Sequence, residues 1–290
     1  MYTELLSSIE EMLSKALEEV KTNPESGLLH LQRQIGWLIQ NAGSSEDRER
    51  ELHQTANCIV RILGQSRNLS LLLQQLLESP QSRKDLVHKS YPHVNGFGKY
   101  VLLSGDEKNN WKLRLHVWRA KANRDFYEEP HDHRWVLATY LVQGKYYSYI
   151  LEEVDEKTFE TMSPEKKAKL EKFKKKLYAP VNLNNRGYKP KSDGEVKLEI
   201  VESKVKIEEG QSCVFPIRMM HRVLQFPASS YIEENESMCV TLMLTLPPES
   251  GLCRLMVTKH EDARTVGTFK IEEIEDEFTK IRSHLQGRQQ

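Results

Sequence analysis

The chain has 290 residues, with 42 basic and 42 acidic side chains and a formal net charge of zero, so it can bury a real core and carries no global basic field for nucleic acid or an anionic membrane. Cys58, Cys213, Cys239 and Cys253 are far apart and form no C-x-x-C pair, which fits free thiols in a reducing compartment rather than a disulfide framework. With no basic-then-apolar start and no run of about 18 apolar residues, a soluble cytoplasmic protein is expected, meeting small molecules or proteins, with a homodimer left open.

From residue 3 to residue 22, Leu5, Leu6, Ile9, Met12, Leu13, Ala16, Leu17 and Val20 recur at three- and four-residue spacing, which predicts an amphipathic helix. Asn23-Pro24 restarts the chain as an N-cap and a first-turn proline, so a second helix is expected to run to about Asn41 and to end at Gly43. Ser44 or Ser45 caps a third through Leu63, and a fourth carries the leucines from Leu69 to Leu77 and stops before Ser79-Pro80. Four helices on short connections, residues 1–88, suggest an antiparallel bundle or a helical layer laid on the rest. Their stripes read as core, and His30 and His53 are not read as cofactor ligands.

Beyond Pro80 the composition turns to β structure, and residues 89–262 form the second expected unit. Residues 99–104 and 111–118 predict two strands joined by a polar hairpin loop, with Arg114, His116 and Trp118 on one face of the second and Leu113, Leu115 and Val117 on the other. A strand over 135–142 follows, ended by Gly144, and then another over 145–151. Residues 152–193 lose the pattern and read as an insertion, with Ser163-Pro164 opening a lysine-rich helix to about Leu177. Its lysines are most simply a solvated face. Further strands are expected over 196–201, 205–207, 239–246 and 251–258, and residues 263–290 hold a C-terminal helix and tail. Successive strands at short spacing argue for antiparallel sheets in an α+β chain.

Two histidines one residue apart stand in Pro130-His131-Asp132-His133-Arg134-Trp135. On a strand, alternation would point His131 and His133 the same way, able to grip one ion. His221, after a proline break in a later apolar run, is the candidate third ligand. A lone histidine is usually a packed or surface residue, but three in this arrangement favour a metal.

These residues resemble the cupins, whose motifs are G-x5-H-x-H-x(3,4)-E-x6-G and G-x5-P-x-G-x2-H-x3-N. His131, His133 and Gly144 match the first, with Asp125 at the leading glycine and Leu137 or Ala138 at the acidic position. Gly210, Pro216 and His221 match the second, with Arg218 at the inner glycine and Gln225 at the asparagine. Within cupins the pattern is similar to the thiol dioxygenases of the cysteine dioxygenase type, over about residues 95–255. The resemblance implies a C-terminal antiparallel β-barrel or jelly roll behind an all-α N-terminal region, iron(II) on three histidines, and a small substrate meeting dioxygen. Met243 and Thr245 stand where those enzymes carry a histidine and a tyrosine, and Ala138 where some carry a cross-linking cysteine, so cysteine itself is not the implied substrate.

Three neutral imidazoles would leave the ion its full charge and open positions for an anionic or thiol-bearing metabolite beside dioxygen. Iron(II) is the expected metal; zinc, manganese, nickel and copper also accept imidazoles. Arg114, Arg134 and Arg218 are candidate bidentate forks for a carboxylate, each weighed against a surface ion pair. Tyr140, Tyr146 and Tyr147 carry hydroxyls that can donate to a bound group, although packing explains them as well. Three function classes follow: an iron oxygenase, a redox-free isomerase, lyase or hydrolase, and a metal-binding sensing module.

Overall fold

A computed structural model describes residues 2–42, 47–93, 97–107, 109–119, 129–180, 188–224, 238–248, 253–257 and 267–288, with the side chains of 2–3, 171–205, 224 and 255–257 excepted. The expected positions of Gly43, Ser44, Ser45, Asp125, Gln225, Gly251 and Thr258 lie outside the described residues.

The helical stripes fold as read. α1 (Tyr2–Thr22) and α2 (Pro24–Asn41) meet at Asn23, whose side chain accepts from Ser26 N at 3.4 Å with Pro24 in the first turn. α3 (Arg48–Gly64) and α4 (Ser66–Glu78) follow. A fifth helix, α5 (Pro80–Lys89), occupies a stretch for which no helix was expected. Ser79 is its N-cap, accepting from Ser82 N at 3.3 Å, so Ser79-Pro80 both ends one helix and opens the next. α5 buries only Leu86, too weak a stripe to announce itself.

Eleven strands follow among the described residues: β1 (Tyr91–Pro92), β2 (Phe97–Ser104), β3 (Lys112–Arg119), β4 (Leu137–Gln143), β5 (Lys145–Glu153), β6 (Glu171–Pro180), β7 (Tyr188–Glu208), β8 (Ser212–Phe215), β9 (Met220–Leu224), β10 (Met238–Thr245) and β11 (Cys253–Val257). Short helices α6 (Glu156–Thr161) and α7 (Pro164–Lys169) lie between β5 and β6, and α8 (Ile271–Gly287) closes the chain. The turn from β4 to β5 needs Gly144, at φ 87. The lysine-rich helix therefore stops at Lys169, and residues 171–180 pair antiparallel with β7. Phe173 and Leu177 are four apart, a spacing that a helical face and a strand face share, and the long-range partner decides between them.

All pairings are antiparallel, in a six-stranded sheet ordered β1-β2-β3-β10-β4-β8 and a five-stranded sheet ordered β11-β6-β7-β5-β9. The chain is thus α+β with N-terminal helices and antiparallel sheets, but the sheets do not close into the expected barrel. β1 and β8 end one sheet and β11 and β9 the other. A single bridge, His131 to His221, ties the segment before β4 to β9.

Helices α1 to α5 and α8 lie on the outer face of the six-stranded sheet. Leu113, Leu115 and Val117 of β3, Ala138 and Val142 of β4, and Val240, Leu242 and Leu244 of β10 share one apolar cluster with α1–α4 and α8. α3 runs over β4, β8 and β10, while α8 packs on α4 and α5. Burial of this continuous apolar face against the amphipathic stripes is what joins helices to sheet. No helix of the described residues is long and apolar enough to cross a membrane.

Candidate metal centre

The expected histidine strand begins later than read. β4 starts at Leu137, and residues 132–136 are irregular, so His131 and His133 sit on the segment entering the strand. Backbone bonds bring His221 to them. His131 N donates to His221 O at 2.9 Å and His221 N to His131 O at 3.0 Å, a paired exchange that sets the two side chains on one side of the ladder. The three rings lie 4.8, 4.8 and 5.1 Å apart between centroids, and their candidate ligand nitrogens all fall within 4.8 Å of one another.

Each ring is held. His131 Nδ1 donates to Glu129 O at 2.9 Å and His221 Nδ1 to Met219 O at 3.1 Å. A carbonyl only accepts, so Nδ1 carries the proton in both and Nε2 keeps its lone pair for an ion. His133 stacks on Trp135 at 5.3 Å, and His221 on Phe215 at 4.7 Å. Burial holds His221 far down, at about 3, with His131 adding to the effect and the bond to Met219 O opposing it. His133 is held well below its ordinary value by burial first, then by His131, His221, Arg114 and Lys99. His133 and His221 are therefore neutral near pH 7, the form in which imidazole binds a metal. The donor set fits a divalent ion of the imidazole-accepting kind; which ion is a separate matter.

The residue between the two ligands is a brace that the sequence reading passed over. Asp132, 1% exposed, accepts from Arg254 N at 2.6 Å through Oδ1 and from Arg254 Nε at 2.7 Å through Oδ2. Asp132 N returns a bond to Arg254 O at 3.0 Å. Arg254 Nη2 also donates to Arg218 O at 3.0 Å, and Arg218 N donates to His133 O at 3.0 Å. One guanidinium on β11 thus clamps both segments that carry the histidines. Locally the sequence shows only an aspartate between two histidines, with nothing that names its partner.

The other expected site residues divide. Arg114 is 9% exposed and lies on the inner face of β3, where its charge acts on His133, His116 and His93. Arg218 joins the site by its backbone, at φ 67, the left-handed conformation that the second motif's inner glycine would adopt freely. Its charge, with that of Arg134, acts on the Cys253 thiol of β11, which burial raises. Tyr140 is not at the centre. It shares the helix-facing side of β4 with Ala138 and Val142 and presses on Gly64 of α3, where an added Cβ would lie 2.3 Å from its ring. Its surroundings are Arg288, Glu209 and Arg61, and the parity of the strand, once the helices choose a face, dictates this. Tyr146 is buried between the sheets with its hydroxyl 3.6 Å from Cys213 Sγ, while Tyr147 is half-buried on the other side of β5.

Around Arg114 the inner wall is basic and polar. His116 is directly opposite Lys99 of β2 on one side and Thr241 of β10 on the other. Burial first, then Lys99, Arg114, His93 and His133, hold His116 well below its ordinary value. His93 falls to about 2, chiefly through burial and then Lys99, His131 and Arg114.

No protein-family model matches the chain, and no curated protein matches it. Among solved structures it is similar to protein SO0799 from Shewanella oneidensis, with 10% identity and a TM-score of 0.27, over 69% of this chain and 90% of that one. It is similar as well to an HTH_3 family transcriptional regulator from Vibrio cholerae, with 10% identity and a TM-score of 0.29, over 86% and 100%. A third likeness is to a chain from the crystal structures of the DMSP lyases RdDddP and RnDddQII, with 11% identity and a TM-score of 0.26, over 85% and 94%. Scores of this size do not establish a shared fold.

Proposed function

We infer that the protein is a metal-dependent enzyme of cupin type, whose His131, His133 and His221 hold iron(II) and which uses dioxygen on a small anionic substrate between the sheets. The observation that carries this reading is the convergence of three imidazoles, two of them tautomerically fixed by backbone carbonyls with Nε2 left to bind. The order of the two histidine motifs supports the same ligand set. When bound, iron(II) supplies one-electron chemistry toward dioxygen, and three neutral ligands leave its charge to be balanced by an anion. The chain's own residues do the rest. Arg114 offers a planar fork for a carboxylate, Lys99 adds charge to the same wall, and Phe97 and Trp118 keep bulk water from that wall. Asp132 and Arg254 hold the ligand-bearing segments in register. A redox-free isomerase, lyase or hydrolase is the second reading, because a neutral three-histidine set suits zinc as well.

The test is elemental analysis of protein purified without a metal-binding tag, followed by oxygen uptake. Wild type is expected to carry a divalent ion, and His131→Ala, His133→Ala and His221→Ala each to lose most of it. Oxygen uptake of the iron-loaded protein is expected to stay near zero alone and to rise with an anionic substrate. Undiminished metal in all three variants ends the metal reading, and equal turnover with zinc moves the protein to the redox-free class.

A further inference from the structure

The six-stranded sheet is a wall without acid. None of β1, β2, β3, β10, β4 or β8 contains an aspartate or glutamate, although the whole chain has as many acidic as basic residues. Its inner face instead presents Lys99, Arg114 and His116, and the groups that act on His116 are all basic. A ligand bearing an ammonium group would meet only like charge here, whereas a carboxylate would meet a fork and a lysine.

Several buried polar atoms on this wall, Thr139 Oγ1 of β4 among them, have no hydrogen-bond partner, and two of them face each other. His116, 7% exposed, has an unpartnered Nε2, and Thr241, 0% exposed, an unpartnered Oγ1. They are directly opposite each other across β3 and β10, so both side chains project from the same face. That face carries Arg114 two residues along β3, about 7 Å away at the usual strand rise. Buried donors and acceptors are almost always satisfied, so a fully buried hydroxyl beside a buried imidazole nitrogen, both open, points to an absent third group. Ser148 Oγ of β5, 1% exposed, is open as well.

We propose that His116 and Thr241 form a recognition pair for an uncharged hydrogen-bonding group of the substrate, whose carboxylate lies on Arg114, so that the protein takes a hydroxy or keto acid and rejects the matching amino acid. The inference rests on the reading of the inter-sheet space as a substrate site. Neutral imidazole offers one donor and one acceptor, and a hydroxyl both, so the pair can bind an alcohol or a carbonyl and gains nothing from a methylene. His116 and Thr241 touch substrate in this assignment and set specificity; they do not hold the metal.

The experiment is calorimetric titration with 3-hydroxypropanoate, propanoate and β-alanine, which differ in one group. It is run on metal-loaded protein and on protein stripped by a chelator, with metal content measured on each sample. The expected order is 3-hydroxypropanoate tightest, about tenfold above propanoate, with β-alanine weakest. In Thr241→Val, which keeps the shape of the side chain, the hydroxyl preference is expected to collapse to about twofold while propanoate affinity stays near that of wild type. His116→Phe is expected to act the same way. Arg114→Ala is expected to weaken all three acids together. Three acids binding alike, as they would if a fixed water already filled the pair, overturns the proposal. So does β-alanine matching the hydroxy acid, a hydroxyl preference that survives Thr241→Val, or no binding by any of the three. A preference that persists in the stripped sample supports the recognition pair as independent of the metal, and undiminished metal in the histidine variants would sink the metal centre while leaving the pair standing.

Discussion

On β10, Val240, Leu242 and Leu244 point into the helical layer, while Thr241, Met243 and Thr245 point between the sheets, and all six are buried to within 8% exposure. Burial is therefore equal on the two faces, and chemistry is what differs. The outer face is aliphatic and completes its contacts within the fold, so each methyl group there contributes to stability. The inner face takes hydroxyls, an arginine and imidazoles out of water and leaves some of their atoms open. Packing needs alone would have replaced them with valine or leucine. The difference separates the residues that hold the fold from those held by it.

The widest test of that separation is a carboxylate on the outer face. Leu244→Asp would bury an unpaired charge in the cluster joining β10 to the helices, at an expected loss of about 5 kcal/mol or more, enough to prevent recovery of folded protein. Circular dichroism and a solubility assay check it. A folded Leu244→Asp protein would mean that the helices do not cover this face.

Next in size is the brace. Asp132→Ala leaves the Arg254 guanidinium without its main acceptor in a partly buried place, an expected cost of about 3 kcal/mol in urea unfolding. It also frees the segment between His131 and His133, so metal affinity in a chelator competition should fall by roughly 10–100-fold. Asp132→Asn keeps one acceptor oxygen and is expected to lose less of both. Here an inner residue matters for the fold as well, and the comparison sharpens: polar groups that are fully paired stabilise, and open ones do not. Unchanged metal affinity in Asp132→Ala would show that the ligands are positioned without it.

How far the sequence revealed this centre follows from the range of each interaction. His131, His133 and His221 were legible because motif spacing is local, and α1 to α4 because a helical stripe is its own signature. The sheets and their antiparallel order were legible; their failure to close was not, since closure depends on register across strands far apart in the chain. Asp132 looked like a spacer because its partner is 122 residues away. Tyr140 was named as a candidate donor beside a packing role, and only the helices on the outer face decide which side of β4 it takes. Phe173 and Leu177 satisfied two periods at once, and Ser79-Pro80 two roles at once, so local pattern had no means to decide.

The smallest effect gives the sharpest comparison. Val240 and Thr241 are neighbours on β10 with side chains of nearly equal shape, on opposite faces and both 0% exposed. Val240→Thr would put a hydroxyl into an aliphatic cluster with no partner in reach, an expected loss of about 1–3 kcal/mol. Thr241→Val would remove a hydroxyl that already lacks one, and valine favours a strand at least as well as threonine. Its expected effect is therefore the opposite, from zero to a gain of about 1 kcal/mol in the ligand-free protein. Urea unfolding of the two variants beside wild type measures both, and the sign matters more than the size. A loss of more than about 1 kcal/mol in Thr241→Val would mean that the hydroxyl is bonded in the resting protein, by a fixed water for instance. A gain together with a loss of hydroxy-acid preference would mark Thr241 as a residue kept for its ligand at the expense of the fold.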